Sequence, residues 1–332
     1  MAHYMPHRTL NSRGGWIVLL ALAACAAAGE PEPAATQPYI ARFAGDKPAA
    51  ISFTIDDGFK LATDELAKAL EPTGFKVTWF INPGHTTEDM RGFKGRAMWP
   101  QWRALHKAGH EIGNHGLLHR SLTGLDEAEA RREIDEAHAL IEKQLGVAPF
   151  SYCFANGQRN EAVDKLVAVK HRAHTRGRLF YGGDKWTLDK ANRWVDGAIA
   201  NKEWIVPMLH SYSKGYAQFG TPGEFDLHLQ YVKDHEAQLW VAPFGTVSKY
   251  VQLRDASKLE SKPLDGGVEL RLTAEKDTAV FDQLLTVVVP APGAARVEAR
   301  RAGQELPARV DAGRVLVELR PGPEPCTVTW SN

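Results

Sequence analysis

Short apolar runs that stop abruptly at polar or titratable residues recur as far as Ala256, with stretches of helical period between them. Ile51-Ser52-Phe53-Thr54-Ile55 runs into Asp56-Asp57-Gly58. Lys76 to Asn82 closes on Pro83-Gly84, and His110 to Asn114 leads into His115. Val147 to Phe154 enters the turn Ala155-Asn156-Gly157, Trp204 to Leu209 ends at His210, and Leu239 to Ala242 comes last. Apolar runs of this length bounded by turn formers predict buried strands. Helical spacing marks Phe59 to Leu70, Met98 to Ala108, Asp126 to Leu145, Ala162 to Val169, Gly223 to Glu236 and Val247 to Leu253. The clearest of these is Asp126 to Leu145. Ala130, Ile134, Ala137, Ile141 and Leu145 form its stripe, Gly146 supplies the stop, and Arg131, Arg132, Glu133 and Glu136 fall on the solvated face. Alternating strands and helices predict an α/β architecture whose parallel strands are covered on both faces and open at their tips.

Beyond Ala256 the pattern changes. Gly267 to Thr273, Leu284 to Val289, Arg296 to Ala302, Arg314 to Glu318 and Cys326 to Trp330 are short alternating runs parted by Pro and Gly, with no helical period among them. That spacing predicts a small all-β sandwich. No cluster of His, Asp or aromatic residues in it suggests chemistry, so a packing or surface-binding module is the expectation.

The N-terminus carries an address. His7, Arg8 and Arg13 precede the apolar stretch Trp16 to Ala24, which is too short to span a bilayer as a helix, and residues 1–28 are expected to be an export signal. Leu22-Ala23-Ala24-Cys25 has the form of a bacterial lipobox, with Cys25 lipidated and the membrane reached only through that anchor. Ordinary cleavage near Ala26 to Ala28 is the alternative. Either route predicts an exported protein of the periplasm or cell envelope, or a secreted one. Residues 29–38 are proline-rich and offer little to bury, so they read as a tether. The 332 residues suffice for two domains, and 40 basic against 40 acidic side chains leave no net field to recruit nucleic acid or an anionic membrane surface. Cys153 and Cys326 lie too far apart to suggest a disulfide framework and are expected as free buried thiols.

The candidate chemistry lies at the strand tips. Asp56 and Asp57 repel unless something positive sits beside them, and a divalent metal is the common answer. The plainer alternative is an Asp-Asp-Gly turn that merely ends a strand. His115 and His119 are four apart, so a helical turn after Asn114 would aim both imidazoles to one side; two satisfied core histidines are the alternative. Two imidazoles with one carboxylate leave a metal open positions for water and substrate. The metalloprotease order His-Glu-x-x-His is absent, because three residues separate His110-Glu111 from His115. His106 and His110 read as surface or core residues. His210 ends a buried run and is handed to the same open end.

Thr54-Ile55-Asp56-Asp57-Gly58, then His115-Gly116-Leu117-Leu118-His119, then Leu209-His210, in that order, resemble the motifs of the polysaccharide deacetylase family, the NodB-like carbohydrate esterases of family 4. The resemblance covers roughly Pro48 to Ala256. It implies a distorted, incomplete (β/α) barrel at residues 39–258, followed by an accessory β-sandwich at 259–332. By resemblance, Asp57, His115 and His119 hold one divalent metal, usually zinc, with cobalt, nickel or manganese as alternatives. Asp56 is the base and His210 the acid. The third motif falls on Ser151-Tyr152-Cys153-Phe154-Ala155, where serine replaces the family's arginine and cysteine its proline; Phe154 would still offer a backbone N–H to an oxyanion. Trp186 and Trp194 are candidates for the family's aromatic fourth motif. Trp240 and Tyr212 are candidates to stack on a sugar, as are Tyr216 and Phe219. The implied activity is metal-dependent removal of acetyl groups from a polysaccharide or oligosaccharide, with N-acetyl sugar favoured. An O-acetyl ester hydrolase of the acetylxylan-esterase kind and a non-catalytic glycan-binding lipoprotein are the alternatives.

Overall fold

The computed structural model describes residues 36–88, 95–175, 179–183, 186–213 and 218–332. The expected leader, Cys25, residues 29–35 of the tether and Tyr216 lie outside them. Among the described residues, no helix is long and apolar enough to cross a membrane.

Seven parallel strands make a curled sheet in the order Ala173–Thr175, Ser151–Cys153, Glu111–Asn114, Thr78–Ile81, Thr54–Asp56, Pro207–Leu209, Leu179–Phe180. Leu239–Val241, Ala49–Ile51 and Trp204–Ile205 form a second parallel sheet of three. Two runs contribute to both sheets. One leaves the small sheet at Ser52-Phe53 and joins the large one at Thr54, and the other makes the same step at Val206. The Ser52 N–H donates to the Ile205 carbonyl at 3.0 Å and Trp204 Nε1 donates to Ser52 Oγ at 3.0 Å, so both runs break at one level. With both runs stepping between sheets at this level, the (β/α) barrel is distorted and incomplete. Ile51, Phe53, Trp79, Leu209 and, from the helix Lys60–Leu70, Leu66 fill its core.

The predicted helices form, with shifts of a residue or a few at their ends. Glu127–Leu145 starts where Asp126 accepts the Glu129 N–H at 2.8 Å and stops at Gly146, whose φ of 75° a side chain would resist. One expectation about it fails. Glu133 is buried, 2% exposed, instead of facing solvent. The helix Leu188–Asn201 was missed because its buried stripe of Ala191, Val195 and Ala198 is small and sits among charges. Leu179–Phe180 was missed because two residues carry no period.

The sandwich is built from two antiparallel sheets. Ser257–Leu264, Gly267–Ala274, Cys326–Ser331, Arg296–Arg301 and Gln304–Glu305 form one; Tyr39–Ile40, Leu285–Pro290, Arg314–Leu319 and Ala308–Asp311 form the other. Its core includes Leu270, Leu285, Val287, Val317 and Cys326, together with Tyr250 and Leu253 from the helix Phe244–Asp255. Tyr250 Oη donates to the Ala41 carbonyl at 3.0 Å. The first described strand thus belongs to the sandwich, although the residues that follow it in sequence build the barrel. Ser257–Leu264 escaped the sequence pattern because it is a mostly exposed edge strand. Cys153 and Cys326 are free and buried, as expected.

Burial holds the imidazoles of His171 and His228 down to about 3, and that of His110 to about 4. Unfolded imidazoles titrate near 6.5, so below that pH the unfolded chain binds more protons than the folded one. Each of the three therefore removes about 1.4 kcal/mol of stability per pH unit as pH falls from about 6.5 toward its folded value. Calorimetric Tm should fall steeply between pH 7 and pH 5, and the slope in His228→Leu should be shallower by about one proton. A flat profile in the parent protein would contradict this.

Candidate active site

The open end of the large sheet gathers the residues predicted at its strand tips. Asp56 ends Thr54–Asp56, and Asp57 follows it in the left-handed region at φ 73°. Such a conformation is costly for a residue with a side chain and persists only where the surroundings enforce it. Here Gly58 continues at φ 69°, its N–H donates to the Asp56 carbonyl at 2.9 Å, and Arg96 Nη1 donates to the Asp57 carbonyl at 2.6 Å. The reversal sends the two neighbouring carboxylates in different directions.

His115 follows Glu111–Asn114, and His119 lies at φ 61° at the far end of a loop. No helical turn brings them together, contrary to the expectation; the loop does, passing through Gly116 at φ 81°. Their rings lie 4.9 Å apart. Nε2 of His119 stands 3.1 Å and Nε2 of His115 3.6 Å from Asp57 Oδ1, while His210 Nε2, beyond Pro207–Leu209, is 3.9 Å from Oδ2. His115 Nδ1 donates to the Cys153 carbonyl at 2.9 Å, which leaves Nε2 as the nitrogen with a lone pair facing the cluster.

These donors suit a divalent metal. Asp57 Oδ1 is buried and makes no hydrogen bond, although two imidazole nitrogens face it. One oxygen and two nitrogens within 4.8 Å of one another are a common ligand set for a cation with positions left open. Burial opposes charge on Asp57, but His115 and His119 outweigh it and hold the carboxyl far below the usual range. Asp56 behaves oppositely. Burial lifts it above the usual range against the pull of His115 and His210, and its Oδ1 is buried without a hydrogen bond. Burial also lowers His210, against the two carboxylates that draw it up.

A cleft of about 540 Å³ opens over this cluster, walled by Phe154, Phe180 and Met208, with Asn156 and Gly157 among its lining residues. Three expectations are corrected here. The Phe154 N–H donates to the Thr175 carbonyl at 3.0 Å as part of the sheet, so it is not the oxyanion donor; Phe154 lines the cleft instead. Trp240 packs edge-on against Tyr250 between the barrel and the sandwich core. Tyr212 bonds Asp226 and packs on Phe225, and neither aromatic lines the cleft. Trp186 and Trp194 pack on each other and on Tyr181, and Phe219 is buried in the same cluster. Ser151, in the arginine's place, donates to Glu111 Oε1 at 2.6 Å. Cys153 Sγ instead reaches Asp56 Oδ2, at 3.4 Å. The sequence signal that could have found Met208 was its place in the apolar run that ends at His210; Phe180, on a two-residue strand, gave none.

The parallel half-barrel is similar in fold to a solved Mycobacterium smegmatis chain described as a polysaccharide deacetylase. It superimposes with a TM-score of 0.50 at 17% identity, covering 64% of this chain and 93% of that one. Residues 44–172 match the family model described as polysaccharide deacetylase, so this part of the chain is similar to that family. Among curated relatives, a Bacillus gellan lyase is 25% identical over 307 residues, covering 81% of this chain and 12% of its own length. That 81% is more than residues 1–258 supply, so the match reaches into the sandwich. A Helicobacter pylori peptidoglycan deacetylase is 23% identical over 173 residues, covering 49% of this chain and 53% of its own length. The chain therefore spans about half of one curated relative and a small part of the other.

A Cβ on Gly58 would lie 2.8 Å from Cζ2 of the buried Trp102 and would need the left-handed region as well. Gly58→Ala should lose about 2–4 kcal/mol in denaturant unfolding, from strain and overpacking together. An unchanged midpoint would show that this turn is not held as described.

Proposed function

We propose that this chain is an exported, metal-dependent deacetylase that removes acetyl groups from a polysaccharide, with N-acetyl sugars as its preferred substrates. The supporting observation is Asp57 Oδ1, buried and unbonded between two imidazole nitrogens with a second, separately oriented carboxylate beside it. Asp57, His115 and His119 would hold the cation. When bound, a divalent cation lowers the pKa of water and polarises an acyl oxygen; zinc is the proposed occupant.

The remaining work falls to side chains of the cleft. Asp56, buried and raised above the usual carboxylate range, takes the proton of the attacking water. His210, on the neighbouring strand run, gives a proton to the departing amine. Phe154, Phe180 and Met208 keep the acyl end of the substrate away from bulk water. The name of the peptidoglycan deacetylase relative favours an amide over an ester substrate. The export signal expected from the sequence at residues 1–28 favours an envelope location with Cys25 as the lipid attachment point, and residues 259–332 are proposed as an accessory domain packed on the barrel.

Zinc-loaded protein incubated with N-acetylated oligosaccharides, peptidoglycan and acetylated xylan should release acetate, with the N-acetyl substrates leading by mass spectrometry of the products. Asp56→Asn should lower kcat on the order of 10²–10⁴-fold with the metal still bound. Faster release from xylan would replace the amide with an ester substrate, and an Asp56→Asn variant as active as its parent would remove the base from this scheme.

A further inference from the structure

Glu133 takes no part in the reaction outlined above, yet it is 2% exposed on a helix whose other charges face water. Among the described residues its carboxylate pairs with no cation; Oε2 accepts the Leu118 N–H at 2.9 Å. The backbone carbonyl of the same residue accepts the Leu117 N–H at 3.0 Å. A carboxylate in such a place is costly compared with an apolar side chain of similar size. Packing alone does not account for it.

Its neighbours do. Leu118 immediately precedes His119, which is held at φ 61° with its imidazole 3.1 Å from Asp57. The first half of this loop has other supports. Asn82 Nδ2 donates to the carbonyls of His115 and Gly116, at 2.7 and 3.1 Å, and Asn114 Oδ1 accepts the Gly116 N–H at 2.8 Å. In the second half, the N–H groups of Leu117 and Leu118 both go to Glu133. Gly116 fits the same arrangement: a Cβ there would lie 3.3 Å from Glu133 Oε2, so the carboxylate occupies the space that a side chain would claim.

We propose that Glu133 is a positioning residue, whose carboxylate fixes the backbone at Leu118 and thereby the strained conformation that presents His119 to the cation. The inference rests on the metal site proposed above. It makes Glu133 a determinant of metal affinity without contact to metal or substrate. Partners of this kind change affinity by about 10–100-fold when removed.

Glu133→Gln keeps the length and an acceptor oxygen, whereas Glu133→Asp keeps the charge but falls a methylene short of Leu118. Zinc affinity, measured by competition with a chromophoric chelator, should stay within about threefold of the parent in Glu133→Gln and weaken about 10–100-fold in Glu133→Asp. Circular dichroism of the metal-free proteins checks that both variants fold, and Glu133→Met replaces Glu133→Asp should the latter not fold. Equal zinc affinity in all three proteins overturns the inference and leaves the site reading standing. A parent protein that binds no divalent cation overturns both.

Discussion

Between Asp56 and Asp57 the backbone changes from extended to left-handed, and the open end of the barrel depends on that reversal. A continued strand would alternate the two side chains across the sheet, one to each face. The turn instead leaves Asp56 against Cys153 and swings Asp57 toward the imidazoles of His115, His119 and His210. Arg96 holds the turn from outside through the Asp57 carbonyl, and Trp102 leaves room there only for a glycine at the next position.

The two acids also differ in environment. Asp56 is fully enclosed and shifts upward, while Asp57 is less deeply buried, faces two imidazoles and shifts downward. Divergent shifts in neighbouring groups separate a proton acceptor from a permanent anion, and the division here follows from which side of the turn each acid occupies. The Cys153 residue touches both halves of the arrangement, through its thiol to Asp56 and its carbonyl to His115.

Much of the fold was legible because buried parallel strands contrast sharply with the polar residues at their tips. Asp56, His115 and His210 announced themselves that way, and Gly146 and Asp126 marked the ends of the longest helix. What the pattern could not carry was the use of groups every residue has. Whether the Phe154 N–H is spent in the sheet depends on a partner at Thr175, and nothing in a linear chain reports that pairing. Glu133 misled for a related reason: a charged residue on a helix points outward by default, and only the loop packed over it reveals an inward one. Aromatic residues were equally opaque. Trp240 and Tyr212 carry the rings a sugar would favour, yet their neighbours consume them, while Phe180 on a two-residue strand lines the cleft.

The strand Tyr39–Ile40 has a mechanical consequence. Where the described chain begins, it is fastened to Leu285–Pro290, with Asp46 ion-paired to Arg314 and the Gly45 N–H bonded to Thr286 Oγ1 at 2.8 Å. A pull arriving from the N-terminal side would therefore load the sandwich before any tension reached the first barrel strand. The β-sandwich is in this sense a strain relief: a load applied at residue 36 meets its pairing with Leu285–Pro290 before it meets the strand carrying Asp56.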